Sequence, residues 1–247
     1  MKKIVSLVLL ICLLFTGFIS YRQVLAVKAE REAAASSDEA EIIPVEVALV
    51  DREALFASHA PDEVVATVDG KEIRWDEYYY FYSSFIEEVE HIFTYFGAYG
   101  YSLTWEDEYE EGMLFSEVPP VNAEGSICQY TAIEALAQEK GITLSEETEE
   151  ELRAQTAADA ERYCGEGATE EQLEAYLAEI YLPLSVYRQM LRTNALYRQE
   201  LSDLFGGASD DGSNEAALSA ALQECLREVQ FAYADGFSLP DIRDYVG

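Results

Sequence analysis

Positive charge is scarce in this chain. Across 247 residues, 16 Lys and Arg stand against 48 Asp and Glu, for a net charge of −32. Nucleic acid is excluded as a partner, because phosphate binding needs a basic footprint and this surface repels it. The acidic balance reads as a solvated surface with a weak attraction for basic unfolded segments. Histidine is scarcer still, with only His59 and His91. His91 stands one helical turn from Glu87, but no nucleophile accompanies the pair, so it reads as an exposed helix residue. Cysteine is limited to Cys12, Cys128, Cys164 and Cys225. The last three fit no zinc spacing, and an odd number allows at most one internal disulfide. They read as small buried apolar residues. Asp210-Asp211-Gly212-Ser213-Asn214 lacks the alternating ligands and closing Glu of a calcium loop. There is no phosphate loop, no Gly-x-Ser-x-Gly and no supported Cys-His pair. These absences lead us to expect no enzyme, no cofactor and no metal.

Long apolar runs are also few. One is present, IVSLVLLICLLFTGFIS from Ile4 to Ser20, behind Lys2-Lys3. Its 17 residues suit a short spanning helix or a long signal segment. Val27-Lys28-Ala29 is a poor and distant cleavage site, which favours an uncleaved signal-anchor over a removed signal peptide. The two lysines place the N-terminus in the cytoplasm and the rest of the chain outside it. Cys12 has no lipobox. We expect a transmembrane segment over 1–25, an acidic linker over 26–62 and one folded domain over 63–247.

What is abundant is aromatic. Tyr occurs 17 times and Phe 11 times. The chain is organised around VVATVDGKEIRWDEYYYFYSSFIEEVEHIFTYF, from Val64 to Phe96. Two apolar runs around Asp69-Gly70 predict a hairpin, because a type I′ turn needs positive φ at both central residues. The period then changes to that of a helix. Tyr78, Phe81, Tyr82, Phe85, Val89, Ile92, Phe93 and Phe96 predict its core face. Tyr80, Ser83, Glu87, Glu90, His91 and Thr94 fall on the opposite face.

Helices follow over 123–140, from Ser145 to Cys164, from Thr169 to about Ile180, and from Ser185 to Phe205. Ser145 and the Thr169–Gln172 box are their start signals, and Gly141 is a stop. Between Ala98 and Asn122 no period is visible, and Trp105 and Phe115 are expected to pin that loop. A connector spans 206–214, and a final helix covers Glu215 to Glu228. Val229 to Tyr233 alternates like a strand. Neither it nor the hairpin is stable alone, so the two are expected to pair. Leu218, Leu222 and Leu226 are expected to pack on the helix of Val186 to Phe205. The fold class is mostly α with a small β element.

Tyrosine exceeds what one helix face can hide. Tyr79, Tyr80, Tyr95, Tyr99 and Tyr101, with Trp105, are the candidates for a peptide-binding cleft. Each has an apolar body and a polar tip, which suits varied apolar segments. The alternative is that the surplus packs on the Ala98–Asn122 loop.

As an ordered set these segments resemble a known family. VVATVDGKEIRWDEY is similar to the opening of the SurA/PrsA-type extracytoplasmic chaperones. GITLSEETEEELRAQ and ATEEQLEAYLAEIYLPLSVYRQMLRTNALYRQEL resemble the helices of the same N-terminal domain. The resemblance covers Glu63 to Phe205, with a weaker echo from Leu222 to Tyr245. It implies a trigger-factor-like helical chaperone fold that holds unfolded or newly exported polypeptides. In that family a parvulin prolyl isomerase domain usually follows the long helix. Here only ASDDGSN and its neighbours separate Phe205 from Glu215. The Ala-x-His-Ile-Leu opening and the paired histidines of that domain are missing. The resemblance therefore implies a membrane-tethered holdase without isomerase activity. The alternatives are an envelope scaffold with one dedicated partner and, third, a prolyl isomerase family member.

Overall fold

The computed structural model describes residues 45–206 and 213–247. The expected signal-anchor, most of the expected linker and the centre of the connector, with its acidic loop, lie outside the described residues. Along the described chain the elements are α1 (Arg52–Phe56), β1 (Val64–Val68), β2 (Lys71–Arg74) and α2 (Trp75–Gly97). Next come β3 (Glu108–Glu110), β4 (Met113–Leu114), α3 (Val118–Glu139), α4 (Glu146–Cys164) and α5 (Glu170–Ala178). Then follow α6 (Leu184–Ala195), α7 (Ser213–Glu228) and β5 (Phe231–Tyr233). Residues 44–247 make one compact unit, mostly helical with a small antiparallel sheet.

Asp69 and Gly70 both take positive φ, 49° and 78°, as a type I′ turn requires. The turn sets the register, with Val68 opposite Lys71 and Thr67 opposite Glu72. β5 lies antiparallel on the other side of β1, pairing Ala66 with Tyr233 and Val68 with Phe231. The strand order is β2-β1-β5, so the C-terminal strand joins the hairpin as its alternation predicts.

α2 starts where Glu77 reaches back to accept the Arg74 backbone N–H, at 3.3 Å. Its buried stripe is rotated from the expected one. Trp75, Tyr78, Tyr79, Tyr82, Ile86, Val89 and Phe93 are buried, while Phe81, Phe85 and Ile92 are only half-buried. Ser83 and Glu90, expected on the polar face, are buried as well. The cause is a packing partner distant in sequence. The Val50 N–H donates to Glu90 Oε1 at 2.6 Å, and Arg52 Nη2 stands 3.8 Å from the same carboxylate. Leu55 is fully buried, and Val50 bridges to Val246. The part of the expected linker from 45 to 62 is therefore folded into the core.

Trp105 and Phe115 do pin the 98–122 segment, each ring packing edge-on against Phe93. That segment also holds the small β3–β4 hairpin, whose single buried side chain, Tyr109, makes no legible alternation. α3 begins five residues earlier than expected, with Pro119 and Pro120 in its first turn, where a missing N–H costs nothing.

The remaining helices share a largely aliphatic core. Ser145 Oγ caps α4, and Thr169 and Gln172 form the capping box of α5. Leu173, Leu177, Leu182, Leu184 and Val186 gather around Ala160 to bury one face of each of α4, α5 and α6. α6 begins one residue before the Ser185 start expected from the sequence, with Pro183 at its N-cap and no side-chain cap. It passes into a π-helical stretch, Leu196–Leu201, which leaves Leu204 exposed where an unbroken helix would turn it inward. α7 packs mainly on α3, with Leu218 and Leu222 in one cluster with Ile133, Leu136 and Ala137, and the end of the expected 186–205 helix joins that cluster through Leu196, Leu201 and Phe205. Cys128, Cys164 and Cys225 are free, half-buried thiols.

Candidate functional site

The six cleft candidates do not line one surface. Tyr79 is wholly buried and donates its hydroxyl to Arg52 O at 2.5 Å. Tyr80 is half-buried against the aliphatic cluster of Leu173 and Val186. Trp105 is core. Tyr95 and Tyr99 are exposed and pack on each other at the C-terminal end of α2, with ring centroids 5.2 Å apart. Tyr101 lies nearby against Phe96. Three of the six thus gather at one end of α2, and Tyr79, Tyr80 and Trp105 are engaged in packing.

Tyr78, Tyr82, Tyr187 and Tyr233 are structural, each with its hydroxyl hydrogen-bonded. Tyr78 and Tyr233 share a hydroxyl contact of 2.8 Å, and Tyr233 donates onward to Glu124 at 2.5 Å. Tyr82 donates to Pro240 O at 3.2 Å. Burial first, and then neighbouring phenols, push Tyr78, Tyr79 and Tyr82 far above the ordinary phenol range. A neutral phenol that cannot ionise is a directional strut.

A different concavity has the character of a binding cleft. Its apolar base is Phe81 of α2, Ile127 and Tyr130 of α3, and Val186 and Met190 of α6. β2 forms its upper wall through Lys71 and Ile73, while Glu77 and Gln189 supply polar points. The enclosed space is about 30 Å³, enough for one or two waters. An inserted side chain must therefore move a wall. Met190 and Tyr130 are half-buried, and methionine is the most adaptable apolar side chain. Phe81 falls on the predicted core face of the long helix, and Ile127, Tyr130, Val186 and Met190 stand at helical spacings of the same ordinary kind. Nothing local distinguishes a core stripe from one half-open at a junction of three elements.

Among the described residues nothing pairs with the outer edge of the strand beside this cleft. In the turn Val68–Lys71 the first carbonyl accepts the fourth N–H, so Lys71 points its backbone toward β1. Its neighbour Glu72 is then turned the other way. Glu72 is exposed, and β2 is the outer strand of the sheet. The edge therefore offers a backbone N–H and C=O beside an apolar cleft, the arrangement that takes an added strand.

No group of His, Cys, Asp and Glu able to hold a metal occurs among the described residues. His91 is exposed on α2, and burial raises the neighbouring Glu88 carboxyl above the usual carboxylate range. His59 contacts Glu63 at 3.1 Å and packs against Trp75 and Phe237. Among the described residues no helix is long and apolar enough to cross a membrane. No family model, no curated protein and no solved structure matches this chain.

Proposed function

We propose that this protein is an extracytoplasmic polypeptide-holding protein that binds extended apolar segments by strand addition at β2. The observation that carries the reading is the edge at Glu72, unpaired among the described residues, between Lys71 and Ile73, which line the cleft with Phe81, Ile127, Tyr130, Val186 and Met190. An added strand hydrogen-bonds to the edge whatever its sequence. Its alternate side chains drop toward the cleft, and those between face water. Sequence-tolerant backbone bonding with adaptable apolar pockets is what a holdase needs. The charge of −32 favours segments with basic flanks. The resemblance to the SurA/PrsA-type chaperones agrees with this use. The apolar run behind Lys2-Lys3 supports tethering to a membrane, and the mechanism needs no cofactor and no turnover chemistry.

The test uses the full chain and a panel of fluorescent peptides with alternating apolar residues and lysine ends. Glu72→Pro removes the outward N–H at an edge position where proline is tolerated. Met190→Glu places a charge in the cleft. Both should weaken binding of unrelated panel members at least tenfold while leaving the thermal midpoint within a few degrees. Unchanged binding in both variants sinks the strand-addition reading. Tight binding of a single panel member would point instead to a scaffold with one dedicated partner.

A further inference from the structure

The outer edge of β2 fixes a register for anything that pairs with it. Backbone groups alternate along a strand, one residue turned toward its neighbour and the next away. Lys71 turns toward β1 opposite Val68, and Ile73 does so opposite Ala66, so Glu72 and Arg74 turn outward. The Arg74 N–H is already given to Glu77 Oε2 at 3.3 Å, at the start of α2. Among the described residues Glu72 is the one position of β2 left to present both an N–H and a C=O.

The side chains alternate between the two faces of the sheet. Lys71 and Ile73 lie on the cleft face. Glu72 lies on the other, where it is exposed. The row across the sheet at its level is Ala232 of β5, Thr67 of β1 and Glu72, so Glu72 is the one charge in that row.

We propose that this edge selects segments of the pattern apolar–basic–apolar, added antiparallel with the basic residue directly opposite Glu72. The inference rests on the polypeptide-holding reading and names the client. An antiparallel partner exchanges both bonds with a single residue, which is what one outward N–H and C=O can offer. The residue so bonded shares the face of Glu72, with its Cα about 5.5 Å away. At that distance opposite charges attract and like charges repel. The client residue before it stands beside Ile73, and the one after it beside Lys71. Both turn toward the cleft of Phe81, Val186 and Met190, where apolar side chains are buried and a second basic one would meet Lys71. The same charge turns away a second copy of this chain. Two β2 edges paired antiparallel about this point would set Glu72 against Glu72.

The probes are three short fluorescent peptides, capped at both ends, with Val on each side of a central Lys, Gln or Glu. Their binding to the full chain is read by anisotropy at low salt. The Lys-centred peptide should bind about tenfold more tightly than the Glu-centred one, with Gln between, since one gains an attraction and the other a repulsion of cross-strand size. The acidic surface as a whole also favours Lys, so the deciding variant is Glu72→Lys. It leaves a strongly acidic chain, yet it should reverse the order of the three peptides. Glu72→Gln, which keeps the shape, should shrink the Lys-to-Glu ratio severalfold, and it decides the matter if Glu72→Lys does not fold. Equal binding of the three peptides overturns the inference and leaves the polypeptide-holding reading standing. So does an order that Glu72→Lys leaves as it was, or a ratio that Glu72→Gln does not change. If none of the three peptides binds, both fall.

Discussion

The region around α2 and the region of α4 to α6 are built from different materials. Around α2 the core is aromatic, and its polar tips are tied to particular acceptors. Trp75 reaches Phe56, Tyr79 reaches Arg52, Tyr82 reaches Pro240, and Tyr78 is joined through Tyr233 to Glu124. Each bond names one geometry, and most reach across distant parts of the chain. In the second region the buried cluster is aliphatic and adaptable, and one hydrogen-bonded phenol, Tyr187 of α6 donating to Asp159 of α4 at 2.5 Å, crosses it. α4 buries only Thr148, Thr156 and Ala160 along 19 residues. Its ties to the next helices are the cluster around Leu173, the Tyr187–Asp159 hydrogen bond, the stacked Tyr163–Tyr176 pair and the Arg192–Glu149 ion pair. Hydrogen-bonded aromatics specify a position, whereas aliphatic clusters resist separation but tolerate sliding. The apolar cleft lies between the two regions. Phe81 belongs to the stiff wall and Val186 and Met190 to the soft one, so a narrow cleft can widen on one side without loss of the sheet.

The largest effect should come from removing the C-terminal part of the stiff region. Deleting 213–247 takes away β5, the Tyr233 link, the buried Ile242 and the Tyr245 carbonyl that holds Asp51. It also exposes a strand edge and the α2 stripe together. The expected loss is several kcal/mol, on the scale of multiple large apolar deletions. Near-ultraviolet circular dichroism and thermal unfolding read it. A truncated chain that melts at the temperature of the full one would show that the aromatic region does not need its last strand.

Alkaline pH should attack the same region next most strongly. Tyr78, Tyr79 and Tyr82 have folded pKa values raised above the ordinary 10, chiefly by burial. The folded state therefore holds its phenol protons where the unfolded chain releases them. Their contribution is fully present below pH 10 and is lost as the pH rises beyond it. Three such phenols amount to roughly 4 kcal/mol by pH 11, at about 1.4 kcal/mol each. Unfolding above pH 10 should coincide with a step in phenolate absorbance. A gradual rise in absorbance without unfolding would show that these hydroxyls reach solvent in the native state.

The softer region should yield to a single side chain. Leu173 is fully buried at the centre of its cluster, and Leu173→Ala should cost about 2–5 kcal/mol. The sharper readout is where the loss appears. Hydrogen exchange should quicken in α4 to α6 first, with α2 and the sheet protected until global unfolding. Uniform acceleration across the chain would mean that the two regions unfold as one body, and the contrast between them would fall.

The stretches legible in sequence are those whose cause is local. The Asp69-Gly70 turn, the Ser145 cap, the Thr169–Gln172 box and the Gly141 stop each depend on a few adjacent residues. The third strand was readable because a lone alternating segment needs a partner. The buried face of α2 was not readable, because Glu90 is turned inward by the Val50 N–H, 40 residues away. The same cause hid the folding of residues 45–62. Tyr79 and Trp105 looked like surplus aromatics for a cleft, but their partners, Arg52 and Phe93, are fixed only once the chain is folded. The cleft of Phe81 and Met190 was invisible for the opposite reason. Its residues carry an ordinary core pattern, and only the ending of the sheet at β2 leaves them half-open.

The smallest effect concerns the ion pairs that join the soft helices. Arg188 pairs with Glu170 of α5, and Arg192 with Glu149 of α4. All four side chains are substantially exposed, so each pair should contribute no more than about 1 kcal/mol at physiological salt. The surroundings modify that figure. In a chain of net charge −32, each arginine also relieves repulsion among carboxylates that no single partner accounts for. Arg188→Ala with Arg192→Ala should therefore destabilise more at low ionic strength than the two pairs alone explain. The excess should vanish as the Debye length shrinks from about 30 Å to about 3 Å between 0.01 M and 1 M salt. Double-mutant cycles with Glu170→Gln and Glu149→Gln, run at both salt concentrations, separate the pair contribution from the general field. If the arginine variants lose the same stability at both concentrations, their role is packing of their aliphatic stems against α4 and α5, and charge has no part in holding the soft wall.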